Sequence, residues 1–366
     1  MKEILYLKIY NRLKTDITSG ASAPGSKLMG IRELAEHFGT SHKTISRSLE
    51  CLEKDGLVRI TQGQGIFVRE KSSWRQDPGI IRELGIILND MTIPFNVKLS
   101  SILEQRASES GYRMVIRSTG YEPGKQKTAI TELTEAGAAG LVIVPAAAEE
   151  APVVYGNDSM PPAIFAGEFS PSTSFTGHYI AVDSYSGFYS AVTMLNEAGH
   201  ELIGYIGASS RKESEPGYLA CRDALAGRRR GYRENYFVSA GGYEAGHGSS
   251  AMKELLLNEE FPTAVVCFSD TLAAGAVKAC REAGLQVPGD ISILGSGDQE
   301  IATLIDPPLT TLKPPVELTG LLTIHLLDDL INRRIPDGET IKIRLDMELI
   351  TRGSVSGTVN GEEGWT

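Results

Sequence analysis

Between Ser41 and Arg47 the chain sets short polar and cationic side chains at helical spacing against an apolar stripe. The stripe is Ile45, Leu49 and Leu52, which leaves His42, Lys43, Ser46 and Arg47 on the opposite or flanking face. From there they can meet base edges and phosphates in a DNA major groove. Bond-making chemistry has little support. There is no GxSxG, the histidines (His37, His42, His178, His200, His247 and His325) are dispersed, and Cys51, Cys221, Cys267 and Cys280 form no CxxC pair. Gly295-Ser296-Gly297 follows a β-type run, yet the third glycine of a dinucleotide fingerprint is missing and no phosphate-binding lysine follows. Neither cofactor nor metal is expected. Arg228-Arg229-Arg230 reads as a solvated loop of an acidic body.

The groove-facing residues need a rigid support, and the flanking sequence supplies one. Tyr6, Ile9, Leu13 and Ile17 predict a first amphipathic helix ending near Ser19-Gly20, and Ile31, Leu34, Ala35 and Phe38 a second that stops at Gly39. Ser41 starts the third, so that Gly39-Thr40-Ser41 is the turn of a helix-turn-helix. LVRI (57–60) and IFV (66–68) flank Thr61-Gln62-Gly63-Gln64-Gly65 and predict a hairpin, the wing. Charge separates the chain in the same place. Residues 1–75 carry thirteen Lys/Arg against eight Asp/Glu, a net +5, which leaves −15 for the remainder of a chain whose total is −10. A basic module on an acidic body suits a DNA grip, because phosphate attraction is local and screened within about 10 Å at moderate salt.

This head resembles the GntR family of bacterial regulators in YLKIYNRLKTDITSGASAPGSKL, IRELAEHFGTSHKTISRSLECLEKDGLV and GQGIFV. The resemblance implies that Arg32, the start of the third helix (Ser41, His42, Lys43, Thr44, Ser46 and Arg47) and the wing residues Gly63, Gln64 and Gly65 contact operator DNA. It also departs from the family: Met29-Gly30 replaces a proline-serine pair, and His42 and Ser46 replace arginines.

From about residue 82 the pattern changes to short β-branched runs alternating with helical stretches. LGIIL (84–88), YRMVI (112–116), LVIVP (141–145), AIFA (163–166), YIAV (179–182), LIGYIG (202–207), AVVCF (264–268) and ISILG (291–295) predict buried parallel strands. Helical text lies between them, as at Leu99 to Ser110 and Thr271 to Ala283. The fold class is therefore α/β, a winged helix-turn-helix domain followed by a doubly wound parallel domain. Some eight strands exceed one small sheet and predict two lobes, with a ligand cleft at the carboxyl ends of the strands.

LGIILNDMTIPF, YIAVDSYSGFYSAVTMLNEAGHELIGYIG and PTAVVCFSDTLAAGAVKACREAGLQVPGDISILGSGDQ resemble the ligand-sensing domain of LacI-type sugar repressors. That likeness implies a homodimer whose operator affinity changes when a small-molecule effector, a sugar or sugar derivative, binds between the lobes. It places Asp90, Phe95, Glu168, Tyr185, Asp270 and Asp298 at the effector site, with Asp270 open to a second role as cap of the following helix. Four polar positions of the family fall on Gly167, Gly217, Ser269 and Gly297, the second by an ungapped match to RDAL (222–225). A roomier, less polar cleft and a larger ligand, such as a glycoside, are expected from this. Expected boundaries are 1–69 for the head, 70–82 for a linker, 83–353 for the effector domain and 354–366 for a disordered tail.

A solute-binding protein of a transport system would need a secretion signal and no DNA head; MKEILYLKIYNRLKTD spaces charges through its apolar residues instead. No later run approaches a membrane span. A cytoplasmic DNA-binding regulator, most plainly a repressor, is the expected function, and a regulator that has lost effector sensing is the alternative.

Overall fold

Tyr6, Ile9, Leu13 and Ile17 are all buried on one face of α1 (Lys2–Thr18), as their spacing requires. The computed structural model describes residues 2–18, 21–61, 65–69, 82–146, 160–171, 175–209, 215–227, 231–336 and 338–357. The α1 residues meet Leu34 of α2 (Ile31–His37) and Ile45, Leu49 and Leu52 of α3 (His42–Lys54) in one core. Each such side chain contributes about 1.5–3 kcal/mol on burial. Gly39, at φ +60°, makes the left-handed turn between α2 and α3 that a residue with a Cβ adopts only under strain. Ser48, buried in α3, donates its hydroxyl to the Tyr6 carbonyl at 2.8 Å and ties α3 to α1.

β2 (Val58–Thr61) and β3 (Gly65–Val68) pair antiparallel, with Thr61 opposite Gly65, and a two-residue β1 (Lys27–Leu28) adds to β3. The hairpin matches its predicted place; β1 is too short to carry a sequence pattern. Gly63 and Gln64 of the wing, and residues 70–81 of the expected linker, lie outside the described residues.

A second compact unit begins at Arg82. Its first sheet has the order β14-β8-β7-β6-β4-β5, all parallel. These strands are β4 (Arg82–Leu88), β5 (Tyr112–Ser118), β6 (Gly140–Ile143), β7 (Ala163–Glu168), β8 (His178–Asp183) and β14 (Lys342–Asp346). The second sheet has the order β10-β9-β11-β12-β13-β15, parallel except for the last pair. It is built from β9 (Ile203–Gly207), β10 (Phe237–Ser239), β11 (Ala264–Cys267), β12 (Ser292–Ser296), β13 (Thr310–Lys313) and β15 (Glu348–Ile350). Two six-stranded sheets thus stand where some eight strands were expected. The additional four escaped because β10 and β15 are three residues long, β13 reads as polar TTLK, and β14 is a half-exposed edge strand with alternating burial.

Helices follow the strands. α4 (Pro94–Glu109) and α11 (Val316–Ile331) pack together on the first sheet, and α5 (Pro123–Glu135) covers it as well. α6 (Ser184–Glu197) packs on α7 (Pro216–Leu225), and α8 (Ala245–Leu255) on α9 (Asp270–Glu282), around the second core. The chain passes between lobes three times: from β8 into α6, from β13 into α11, and through Met347 between β14 and β15.

One expected boundary is corrected. Ser354 and Val355 are buried, Ser354 Oγ donates to the Ile293 carbonyl at 2.5 Å, and the Ser356 amide donates to Ser292 Oγ at 3.0 Å. Residues 354–357 therefore belong to the second lobe instead of a disordered tail, because backbone and hydroxyl partners wait for them there; residues 358–366 lie outside the described residues. Among the described residues no helix is long and apolar enough to cross a membrane.

Candidate DNA-binding face and effector cleft

Arg32, His42 and Lys43 are exposed, and Ser46 and Arg47 half-exposed. Ser41 is the N-cap of α3: its Oγ accepts from the Thr44 amide at 3.3 Å and lies 2.9 Å from Thr44 Oγ1. Both residues thus shape the helix entry and still face solvent. Arg47 has a second engagement, its guanidinium 4.4 Å from the centre of the Tyr6 ring, so the side chain meant for phosphate also packs on α1. Gly65 has φ +124°, and a Cβ there would stand 2.5 Å from Lys27 Cε. Lys27, on β1 beneath the wing, was not singled out in the sequence; its place two residues after the Pro24-Gly25 turn was the available signal.

In the second unit a cavity of about 350 Å3 opens between the lobes. The first lobe contributes Ile93, Pro94, Phe95, Lys98 and Glu168; the second contributes Phe268, Ser269, Ser296, Asp298 and Gln299; Pro314 and Val316 lie at the second crossing. Nearly all of them follow the carboxyl end of a strand, where the unpaired ends of two parallel sheets leave room for a ligand.

Of the six expected effector residues, Phe95, Glu168 and Asp298 line this cavity. The others do not. Tyr185 packs between α6 and α7, where its hydroxyl donates to Asp223 Oδ2 at 3.0 Å and its ring stacks on Tyr189. Asp90 Oδ1 accepts from the Thr92 amide and hydroxyl, both at 2.7 Å, shaping the loop into α4. Asp270 is fully buried and accepts from the Gln299 amide at 2.7 Å and from Thr311 Oγ1 at 2.5 Å. It braces the cavity wall from behind, and the cap of α9 is Ser269, whose Oγ accepts from the Leu272 amide. Phe268 was overlooked, although it directly follows β11 at a strand end.

The four departures have local explanations. Gly167 has φ +124°, which excludes a side chain on backbone grounds, and the next residue, Glu168, faces the cavity in its place. Gly217 lies away from the cleft, beneath Tyr205, whose hydroxyl would stand 2.7 Å from a Cβ. An arginine has no room there, so the ungapped placement does not describe the cleft. Arg211 lies outside the described residues, and Arg222 pairs with Asp223 at 2.8 Å. Ser269 and Gly297 do line the cavity, and Gly297 also has positive φ, +125°. The cleft is therefore less depleted of polar groups than the sequence suggested.

Charge in the cleft is unevenly balanced. Asp298 is held by Arg352 at 2.6 Å and Lys313 at 3.8 Å, whereas the contact described for Glu168 is the Ser184 hydroxyl at 3.4 Å. Burial raises Glu168 from 4.5 to about 7, the hydroxyl only partly opposing it. Burial also raises Asp270, to about 6, against the lowering effect of its two donors. At these two groups the folded protein therefore binds more protons than the unfolded chain between roughly pH 4 and 7, and their stability is present at low pH and lost as pH rises through that window. Glu168→Gln is expected to leave melting unchanged near pH 4 and to stabilise the protein above pH 7, by at most about 3 kcal/mol. Thermal denaturation across pH measures it, and parallel curves for the two proteins would exclude the effect.

At the far side of the cleft a second contact spans the lobes. Tyr121 follows β5 and Tyr243 follows β10, each the edge strand farthest from the crossings, and their hydroxyls lie 3.4 Å apart. Tyr243 also packs on Phe268, with ring centres 5.8 Å apart. Loss of one such hydrogen bond, about 1 kcal/mol, shifts an open–closed equilibrium about fivefold. Replacing both tyrosines by alanine is expected to lengthen and broaden the distance between spin labels on α5 and α8; an unchanged distribution means the pair does not hold the lobes.

Comparison with known proteins agrees with both halves. Residues 5–68 match the bacterial regulatory proteins of the gntR family, and residues 192–355 the periplasmic binding protein-like domain. The chain is 28% identical to the arabinose metabolism transcriptional repressor of Geobacillus stearothermophilus, over 95% of this chain and 97% of that protein. It is 29% identical to the HTH-type transcriptional repressor PurR of Pectobacterium atrosepticum, over 89% of this chain and 96% of that one. The solved transcriptional regulator CelR–cellobiose complex shares the fold, with TM-score 0.62 and 21% identity over 86% of this chain and 90% of that chain. The chain is a DNA-binding transcription regulator that joins a gntR-family winged head to a periplasmic binding protein-like body.

Proposed function

We propose that this regulator is a cytoplasmic homodimeric repressor whose hold on operator DNA changes when a carbohydrate or glycoside enters the cleft of the body. The observation that carries the reading is the cavity itself, built at strand ends from both lobes with an aromatic ring from each and a recessed carboxylate. Its volume falls in the range of about 300–1,000 Å3 usual for small-ligand sites. A ligand touching both lobes favours one lobe arrangement over another, and only such differential contact can shift an equilibrium. The two curated relatives are named as repressors, and the CelR structure holds a disaccharide, which supports a ligand of that class. Two copies give the head two-fold symmetry, which suits a palindromic operator.

Selection of bound DNA from a random library, followed by release assays with mono- and disaccharides, tests the reading. His42→Ala and Ser46→Ala are each expected to change the selected sequence at the positions they reach, at about 1–3 kcal/mol per lost base contact. Arg47→Ala should weaken all sequences alike. A motif unchanged in both of the first two variants removes them from the recognition face. Operator binding indifferent to every carbohydrate, and equally indifferent to loss of the Phe268 ring, removes the effector role of the cleft.

A further inference from the structure

Three carboxylates line the cavity, each in a different setting. Asp298 has Arg352 and Lys313 beside it, Glu300 is exposed, and Glu168 is recessed with a hydroxyl as its described contact. Lys98 is the one lining cation among the described residues, and its ammonium sits 2.6 Å from Glu317. Among the described residues no cation contributes to holding the Glu168 charge, and burial outweighs the Ser184 hydroxyl in setting its protonation. An anion withdrawn from water without a counter-charge is costly, and proteins retain one mostly where a ligand completes it. Phe95 closes the same corner, its Cε1 3.6 Å from where a Cβ on Gly167 would stand.

Resting on the effector reading above, we infer that the cleft is built for an ammonium-bearing sugar, an amino sugar or aminoalkyl glycoside, with the cationic nitrogen against Glu168 and beside the Phe95 ring. A protonated amine brings three N–H donors and the missing charge to the carboxylate, and aromatic faces attract it further. A neutral hydroxyl at the same place donates one hydrogen bond and leaves the charge uncompensated. A phosphate or sugar acid sets a second anion against the first.

Matched ligands remove shape from the comparison. The aminoethyl and hydroxyethyl glycosides of glucose, galactose, xylose and arabinose, titrated calorimetrically into the full-length protein, differ within each pair only in the ammonium. In at least one pair the amine is expected to bind about tenfold or more tightly. The margin should widen between about pH 6 and pH 8 as Glu168 ionises, and collapse in Glu168→Gln. The other charged groups facing this corner are Lys98, Asp298 and Glu300, with Lys313 and Arg352 behind Asp298. Equal or tighter binding of the neutral member in every pair, a margin that survives Glu168→Gln, or binding by no member overturns the amine assignment. Neutral glycosides that bind as tightly as their amines and release operator would do so while leaving the effector reading intact; failure of that reading shows instead in the operator-release assay.

Discussion

Raising salt from about 50 to about 200 mM is expected to lower operator affinity by about three orders of magnitude or more. The expectation follows from the separation of charge along the chain, a +5 head joined to a −15 body. Exposed Arg32 and Lys43, with Lys27 under the wing, are placed to displace counterions from phosphates, and each release makes binding depend on salt concentration. The acidic body is expected to add no attraction for phosphate and some repulsion at low salt. Fluorescence anisotropy with labelled operator at several salt concentrations reads the slope directly. A flat dependence, or operator binding by a fragment lacking residues 1–75, would place the DNA contact elsewhere.

A single methyl group at Gly275 should cost about 3 kcal/mol or more, at the upper end of overpacking effects. α8 and α9 approach so closely that a Cβ on Gly275 would stand 1.9 Å from the Ala245 carbonyl oxygen, and one on Gly248 2.1 Å from that of Leu272. The obstacle is backbone in both cases and cannot rotate away. Each helix accepts a glycine, at about 1 kcal/mol relative to alanine, in return for contact along its length. Gly275→Ala must push the helices apart, moving the start of α9, where Ser269 forms part of the cavity wall. Gly246→Ala is the matched control on α8, with nothing within 4 Å of the added atom, and is expected to be neutral or slightly stabilising. Denaturant midpoints decide it; similar midpoints for the two variants would mean the helices have slack.

Much of the head was legible because its signals are local. Ile45, Leu49 and Leu52 fix the buried face of α3, Ser41 its start and Gly39 the turn before it. The parallel strands of the body were equally plain where both faces are buried, as at Leu141-Val142-Ile143. Edge strands were not, since β14 alternates exposed and half-buried residues and its partner β8 lies more than a hundred and fifty positions earlier. The cleft was half legible. Phe95, Glu168 and Asp298 lie at or beyond strand ends and meet there, but Tyr185, two residues past its strand in the first turn of α6, faces α7. Gly167 looked like a lost carboxylate because residue types alone do not show that its backbone has positive φ and that the next residue, Glu168, faces the cavity.

The three passages of chain between lobes have a consequence during synthesis. The head is complete once residue 68 has left the ribosome, whereas the first lobe waits for β14 at residues 342–346. At about 5–20 residues per second that interval is tens of seconds. From the emergence of β8 at residues 178–183 until that of β14, a nascent chain carries a finished DNA grip and a body whose sheet edge at β8 is unpaired and open to other strands. Ribosome-stalled chains ending just before and just after β14 should differ sharply in protease resistance of the body and little in that of the head.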